Sequence, residues 1–263
     1  MKKYLVVGNP IEHSLSPELH NYWIKSNNLD AVYQKKKTSS EELASLILEV
    51  KKRNIHGINV TVPFKKSVIP YLDHLSSEAK NTQSVNTIYL DNNKTIGHNT
   101  DIEGFERSIV NLKLDTINKK VLILGAGGVV PSIIFALNKM KVSEIMVSNR
   151  TKSKAENLKD LFKNLKVVDW GEVPEFDTII NATSIGLKND DKIDLDISKI
   201  GKNKFFYDVI YKPSETNFLK IGKKLGNRTE NGKLMFIYQA SAAFKVWHGI
   251  QPKIDKEVIK ILD

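Results

Sequence analysis

Residues Val121 to Leu137, V-L-I-L-G-A-G-G-V-V-P-S-I-I-F-A-L, narrow the possible folds more than any other part of the chain. Val121-Leu122-Ile123-Leu124 has the length and β-branching of a parallel strand buried on both faces. It breaks at Gly125-Ala126-Gly127-Gly128, and an apolar helical pattern follows from Val129. Strand, glycine turn and helix together point free backbone N–H groups and a helix N-terminus at a diphosphate. Gly125, Ala126, Gly127, Gly128 and Val129 are therefore the candidate nucleotide seat, with an ordinary tight βα turn as the competing reading. The match to G-x-G-x-x-G/A is incomplete. Val130 stands where a small residue lets the helix pack close to the strand, which predicts a slightly wider contact.

With 263 residues the chain can bury a substantial core, as one large domain or two modest ones. Hydrophobic content of 41% and charged content of 27% fit a soluble globular protein. With no cysteine there is no disulfide framework, thiolate metal site or catalytic thiol, and no metal site is predicted. The formal charge of +10 raises the question of a polyanionic partner. Only Arg53, Arg107, Arg150 and Arg228 are arginines; the lysines are spread along the chain, often beside Asp or Glu. That is a solvated surface rather than the Arg-rich, aromatic-interleaved patch of a nucleic-acid binder. The apolar run after Met1-Lys2-Lys3 is too short for a signal peptide, and no run approaches membrane-spanning length. A cytoplasmic protein without nucleic-acid or membrane partners is expected, as a monomer or homodimer.

Taken in order, Tyr4 to Val7 reads as a strand and Glu18 to Ser26 as a helix, with Pro17 in its first turn and Ser16 as its cap. Ser14 is not needed for that cap, and two hydroxyls one residue apart at a helix start also suit a carboxylate. Ala31 to Lys36 is a strand and Ser40 to Arg53 a helix. From Gly57 to Val62, Ile58, Val60 and Val62 alternate with Asn59 and Thr61, giving a strand with one polar face; Pro63 ends it and Lys65 lies just beyond. A ligand-binding strand end and a solvated edge strand fit this pattern equally. Tyr71 to Asn81 reads as a helix. Ser84 to Leu90 and the segment from Thr95 read as a hairpin turning on Asp91-Asn92-Asn93, with a helix from Ile102. Asn86, Asn99 and Asp101 fall at strand ends, where Thr100 or Asp101 can simply cap that helix.

From Val121 the pattern becomes regular βα alternation. Strands are expected at Glu144–Ser148, Lys166–Asp169, Thr178–Ser184 and Phe205–Tyr211, with helices at Lys152–Leu161 and Asn217–Leu225. Gly232 then breaks the chain, and helices follow at Leu234–Gly249 and Lys253–Leu262. This predicts a doubly wound, parallel Rossmann domain. In that fold an Asp or Glu at the end of the second strand grips the ribose 2′-hydroxyl of NAD. The corresponding stretch here, Ser148-Asn149-Arg150-Thr151, has no acid. Arg150 can pair with a 2′-phosphate and lie on adenine, and Thr151 and Lys152 can add a hydroxyl and a charge. NADP is the predicted cofactor.

Together these motifs resemble the shikimate dehydrogenase family. Ser14-Leu15-Ser16-Pro17 is similar to its S-x-S-P, and Asn59-Val60-Thr61-Val62-Pro63-Phe64-Lys65 to its N-V-T-V-P-x-K. Val85-Asn86-Thr87, Gly97-His98-Asn99-Thr100-Asp101, the glycine turn, Asn149-Arg150-Thr151, Asn181-Ala182-Thr183 and Gln239-Ala240 follow in family order. The resemblance implies a two-domain α/β enzyme. Residues 1–104 form a mixed α/β substrate domain with the helices of 234–263 packed back on it, and residues 105–233 form the NADP-binding Rossmann domain. It implies reversible NADPH-dependent reduction of 3-dehydroshikimate to shikimate, the fourth step of chorismate synthesis. By residue, it implies Ser14 and Ser16 on the substrate carboxylate with Tyr211 nearby, and Thr61, Asn86, Asp101 and Gln239 on the ring hydroxyls. Lys65 and Asp101 are the implied catalytic pair, and Thr183 joins Asn149, Arg150, Thr151 and Lys152 around the cofactor. Three places depart from the family pattern: His98 where Asp is common, Val130, and the spacing of Asn231-Gly232-Lys233-Leu234-Met235 ahead of Gln239. The rival readings are a quinate-using or NAD-using relative and a non-catalytic NADP sensor; retention of both Lys65 and Asp101 argues against the sensor.

Arg150→Ala is expected to weaken NADPH binding far more than NADH binding, read from the two Michaelis constants. An equal loss for both would mean that Arg150 does not read the 2′-phosphate.

Overall fold

The apolar residues Tyr4 to Val7 lie inside a sheet, not at its edge. In the computed structural model, which describes residues 1–188, 190–193, 195–196 and 200–262, they belong to β1 (Lys2–Gly8). β1 pairs in parallel with β2 (Ala31–Lys37) on one side and β3 (Gly57–Val60) on the other. β5 (Thr87–Asp91) runs antiparallel to β3, and β6 (Lys94–His98) antiparallel to β5. With β4 (His74–Leu75) beside β6, the described residues form a six-stranded sheet of order β2-β1-β3-β5-β6-β4. The β5–β6 hairpin turns on Asn92 and Asn93, at φ 46° and 61°. Two left-handed residues are what a type I′ turn requires, and asparagine tolerates them. On one face, α2 (Leu43–Lys51) packs Leu46, Ile47 and Val50 against Leu5, Val7, Ile58 and Ile88. Elsewhere α1 (Ser16–Ser26) brings His20 and Trp23 against Tyr33 and Phe244.

By their internal contacts, residues Met1–Gly104 and Ile237–Asp263 form one unit and Phe105–Phe236 a second. α3 (Ser77–Thr82) lies in the first; α4 (Asp101–Asn111) and α8 (Lys233–His248) carry the chain across the two boundaries. The later boundary falls inside α8. Gly232 donates its N–H to the Ile210 carbonyl at 3.1 Å, which keeps the start of α8 with the second unit.

That second unit contains β7 (Lys120–Leu124), α5 (Val130–Lys139), β8 (Glu144–Ser148), α6 (Lys152–Glu156) and β9 (Lys166–Val168). β10 (Thr178–Asn181), β11 (Phe205–Asp208), α7 (Asn217–Lys224) and β12 (Arg228–Glu230) complete it. The strands are parallel throughout, in the order β12-β11-β10-β7-β8-β9. This is the doubly wound arrangement, with its switch point between β7 and β10. Leu122, Leu124, Met146, Ile179, Phe206 and Phe218 fill one core layer.

Several sequence expectations are corrected. Residues 71–81 are not one helix: a 3-10 turn at Ile69–Tyr71 leads into β4, and α3 begins only at Ser77. Asp73 decides this. Its carboxylate accepts from the Thr95 N–H and hydroxyl, both at 2.8 Å, and draws the segment onto β6. Ser76 then caps α3 by accepting from the Ala79 N–H at 3.2 Å. Lys152–Leu161 is shorter as an α-helix, passing into a 3-10 turn at Asn157–Asp160. β3 ends at Val60, β5 begins at Thr87 and β11 ends at Asp208, each strand shorter than its apolar pattern. β12 was unforeseen, since Arg-Thr-Glu carries no strand signal of its own; it follows from docking beside β11. The last helix, α9, is confined to Lys256–Lys260 behind an Asp255 cap.

Asp208, at the end of β11, is wholly buried. Its partners are neutral: the Thr216 hydroxyl at 2.6 Å, the Ile210 N–H at 3.0 Å and the Asn181 amide at 3.1 Å. Burial pushes its pKa up to about 6, against these three bonds that favour the charge. A carboxyl whose folded pKa is raised adds stability that is complete below the unfolded value and lost as pH rises through the folded one. Asp208→Asn can keep all three contacts, its amide donating to Thr216. Relative to this variant, the wild type is expected to lose about 2 kcal/mol between pH 4 and pH 7.5. Denaturant titrations across that range measure the difference; parallel pH profiles would mean that Asp208 ionises as freely as an exposed carboxylate.

Candidate active site

In the first unit, β1 and β3 end together, and the chain turns there through Thr61-Val62-Pro63-Phe64-Lys65. The Thr61 N–H bonds to the Val7 carbonyl at 2.9 Å, and the Asn9 N–H to the Val62 carbonyl at 3.0 Å. Gly8 is required at this crossing, because a Cβ there would lie 2.5 Å from Thr61 Cγ2 and 3.1 Å from the Val62 carbonyl oxygen. The Val85 N–H closes on the Lys65 carbonyl at 2.8 Å, which sets Lys65 beside the start of β5. Lys65 Nζ then lies 2.5 Å from Asp101 Oδ2, with the two side chains only 11% and 8% exposed. Asp101 is the first residue of α4, one earlier than its apolar pattern suggests.

A buried amide holds the other carboxylate oxygen. Asn86 Nδ2 donates to Asp101 Oδ1 at 2.9 Å and to Thr100 Oγ1 at 3.0 Å, while its Oδ1 accepts from the Thr100 N–H at 2.8 Å. Gln239 Oε1 is 3.4 Å from the same Asn86 amide. Lys65, Asp101, Asn86 and Gln239 come together, and Thr61, half-buried, begins the loop that delivers Lys65.

Ser14 and Ser16 lie at the start of α1, with their cap roles reversed. Ser16 is the first helical residue, the position before it is Leu15, and Ser16 makes no side-chain cap. Ser14 Oγ instead accepts the Ser16 N–H at 3.3 Å. A helix N-terminus with two hydroxyls suits a carboxylate by both its dipole and its donors. The open question about Asn59 is also resolved. β3 is interior and Asn59 is buried, so it belongs to no solvated edge. It accepts from the Tyr33 hydroxyl at 2.7 Å and donates to the Asn86 carbonyl at 3.0 Å and to Thr87 Oγ1 at 3.1 Å. Tyr33, Thr87 and Thr100 are members of this network that sequence reasoning missed; single hydroxyls on strands give no periodic signal. His98 faces Ser76, with Nδ1 2.7 Å from its Oγ, and burial lowers its pKa.

In the second unit, Gly125 ends β7 at the switch point. Its φ is +110°, and a Cβ would meet the Ala182 carbonyl oxygen at 2.8 Å and Thr183 Cγ2 at 3.0 Å. For Gly127 the nearest atom to a Cβ is 4.0 Å away, so the protein side of the turn is open. Gly127 and Gly128 are exposed, Ala126 and Val129 partly so. Val130 is fully buried as the first residue of α5, which puts its side chain in the core and not on the open side of the turn. Thr183 Oγ1 donates to Asn181 Oδ1 at 2.7 Å and accepts from the Ile185 N–H at 3.0 Å, shaping the facing loop. Arg150 and Thr151 are exposed after β8, in a turn closed by the Asn149 amide on the Thr151 carbonyl at 2.7 Å. Lys152 Nζ lies 2.6 Å from Asp169 Oδ1, an acid just beyond β9 that the linear pattern hid, with both side chains largely exposed. Tyr211 packs against Phe236 at a tilt of 35°, with ring centroids 4.5 Å apart.

Two family models match the chain: "Shikimate dehydrogenase substrate binding domain" over residues 6–88 and "Shikimate / quinate 5-dehydrogenase" over residues 108–196. A relative from Pelagibacter ubique, named shikimate dehydrogenase (NADP(+)), is 57% identical over 262 residues, covering 100% of this chain and 99% of the relative. This chain belongs to the shikimate dehydrogenase family. Among solved structures, the shikimate dehydrogenase of Aquifex aeolicus superposes with a TM-score of 0.91 at 38% identity, covering 100% of this chain and 97% of that one. The Thermus thermophilus shikimate 5-dehydrogenase, solved with NADP(H) and shikimate, gives 0.90 at 31% identity over 100% and 98%. The residues of the turn fit a dinucleotide of this family. Gly125 allows the turn, Gly127 leaves room for a diphosphate against the backbone, and Arg150 is placed after β8 with the nearby acid paired to Lys152.

The two glycines are expected to separate folding from binding. Gly125→Ala should cost stability on the order of 1–3 kcal/mol, because both its φ and its space are wrong for a side chain. Gly127→Ala should unfold near the wild-type Tm and yet bind NADPH more weakly. Thermal melts with and without NADPH check both; an equal drop in stability for the two variants would refute the distinction.

Proposed function

We propose that this chain catalyses the reversible NADPH-dependent reduction of 3-dehydroshikimate to shikimate. The observation that carries the reading is the nearly dry Lys65–Asp101 pair, 2.5 Å apart and braced by Asn86, in a member of the shikimate dehydrogenase family. NADPH supplies the hydride when bound. The substrate is held by the first unit. Ser14 and Ser16, at the N-terminus of α1, receive its carboxylate; Thr61, Asn86, Asp101 and Gln239 bind its ring hydroxyls. Tyr211 is assigned as a further substrate contact on the family resemblance alone. Gly125, Ala126, Gly127, Gly128, Val129 and Thr183 seat the dinucleotide, and Asn149, Arg150 and Thr151 take its adenosine end. Lys152 contributes there chiefly by cancelling the charge of Asp169.

The protein must manage one proton. As the ketone is reduced, negative charge develops on its oxygen, and the Lys65 ammonium stabilises that charge and donates the proton. Asp101 keeps the ammonium in place. Asn86, by donating to Asp101 Oδ1, leaves Oδ2 turned to Lys65. In the reverse direction the neutral lysine accepts the proton from the substrate hydroxyl.

Purified protein with shikimate and NADP⁺ is expected to generate NADPH absorbance at 340 nm, with quinate and NAD⁺ as much poorer substitutes. Lys65→Ala should lower kcat by about two to four orders of magnitude while the KM for shikimate changes little. A variant with near-normal kcat would remove Lys65 from the mechanism.

A further inference from the structure

The Tyr33 side chain is buried in the middle of β2, and the mechanism above makes no use of it. Its ring lies flat on His20, with centroids 4.2 Å apart and planes within 2°. His20 is itself fully buried among Trp23, Phe244 and Trp247, and burial lowers its pKa to about 3, so it stacks as a neutral ring. The Tyr33 hydroxyl is thereby aimed at two side chains, Ser16 and Asn59.

The direction of these bonds follows from the acceptor at the far end. The Asn86 carbonyl can only accept, so the Asn59 amide nitrogen must face it, at 3.0 Å. Asn59 Oδ1 therefore faces Tyr33 and takes its proton, at 2.7 Å. The Tyr33 oxygen then has its lone pairs free for the Ser16 hydroxyl. Beyond Asn59 the chain of bonds continues through Thr87 Oγ1 at 3.1 Å, which contacts Asn86 Oδ1 at 3.0 Å and Thr100 Oγ1 at 3.2 Å. It ends where Asn86 holds Asp101 and Asp101 holds Lys65. One continuous buried network thus joins Tyr33, which has Ser16 beside its hydroxyl, to the Lys65–Asp101 pair.

We propose that Tyr33 is a positioning residue for the reaction, holding the Ser16 hydroxyl through its oxygen and the Asn86–Asp101–Lys65 cluster through Asn59. The proposal rests on the roles given above to Ser16, Asp101 and Lys65. In the free enzyme Tyr33 accepts the Ser16 proton, and an arriving carboxylate takes over that proton from a hydroxyl already in place. Without the Tyr33 hydroxyl, Ser16 is free to rotate and Asn59 Oδ1 is left buried without a donor. The carboxylate end then binds less well, and the floor beneath Asp101 loses its fixed geometry.

Tyr33→Phe tests this, since it keeps the ring and its stack on His20 and removes one oxygen. With NADP⁺ saturating, KM for shikimate is expected to rise and kcat to fall, lowering kcat/KM by about tenfold or more. The dissociation constant for NADP⁺, read by fluorescence, should not change, and a near-wild-type circular dichroism spectrum and Tm show that the variant is folded. In a Ser16→Ala background the effect of Tyr33→Phe on KM should vanish, because the partner is already gone, while its effect on kcat persists. KM effects that simply multiply in the double variant, or kcat and KM both within twofold of wild type in Tyr33→Phe, would overturn the proposal. If Ser16→Ala alone leaves KM unchanged, the failure lies in the role given to Ser16 and not in Tyr33. Should Tyr33→Phe fail to fold, 3-fluorotyrosine at position 33 keeps the contacts while making the hydroxyl a stronger donor and weaker acceptor. Its kcat should then hold while KM rises, and no change in either constant would equally overturn the proposal.

Discussion

A lysine ammonium and an aspartate carboxylate that share almost no water set the terms for the first unit of this protein. Removing two such charges from solvent is costly, and their attraction offsets the cost only if every remaining lone pair is also satisfied. Asp101 is held for this pairing by neighbours that are themselves fixed. Asn86 is tied to Thr100 and Thr87, Asn59 ties Asn86 to Tyr33, and Tyr33 lies flat on a buried imidazole. A polar network in a low-dielectric interior rigidifies what it touches when it is fully satisfied. The buried asparagines and threonines at the ends of β3, β5 and β6 are explained by that demand.

The second unit solves a different problem with backbone. A dinucleotide diphosphate needs several N–H donors converging on one place, and a parallel sheet supplies them where its strand order reverses. There Gly125 meets the Ala182 carbonyl, an approach too close for any side chain. The facing loop is shaped by Asn181, and Asn181 by the buried carboxylate of Asp208. At the edge of this arrangement Arg150 is exposed just after β8, and Lys152 pairs with Asp169 beside it.

The elements that could be read from the sequence share one property: their pattern is local. β7 with its glycine turn, the alternation through β3 and the Asn92-Asn93 hairpin each carry their signal within a few residues. The misread segments are those where a distant partner overrules the local pattern. Residues 71–81 have helical spacing, but two bonds from Thr95 to Asp73 pull part of the stretch into a strand. Ser16 looks like a cap, but Ser14 takes the N–H and leaves the Ser16 side chain for Tyr33. β12 has no pattern to read, because an edge strand can form simply by docking on its neighbour.

The candidate site divides along the same line. The sequence alone determined the chemical vocabulary: Lys65, Asp101, the serine pair, the glycine turn, Arg150, and the two-domain α/β class that holds them. Taken singly, each had an ordinary structural use at its position; their order along the chain carried the resemblance that gave them roles. Only the tertiary structure decided which of these groups meet, what supports them and which charges are already spent. That Asp169 takes Lys152, that Val130 points into the core, and that Tyr33 bridges Ser16 and Asn59 are consequences of strand order. Strand order brings residues far apart in sequence to within hydrogen-bond distance, and no spacing along the chain encodes it.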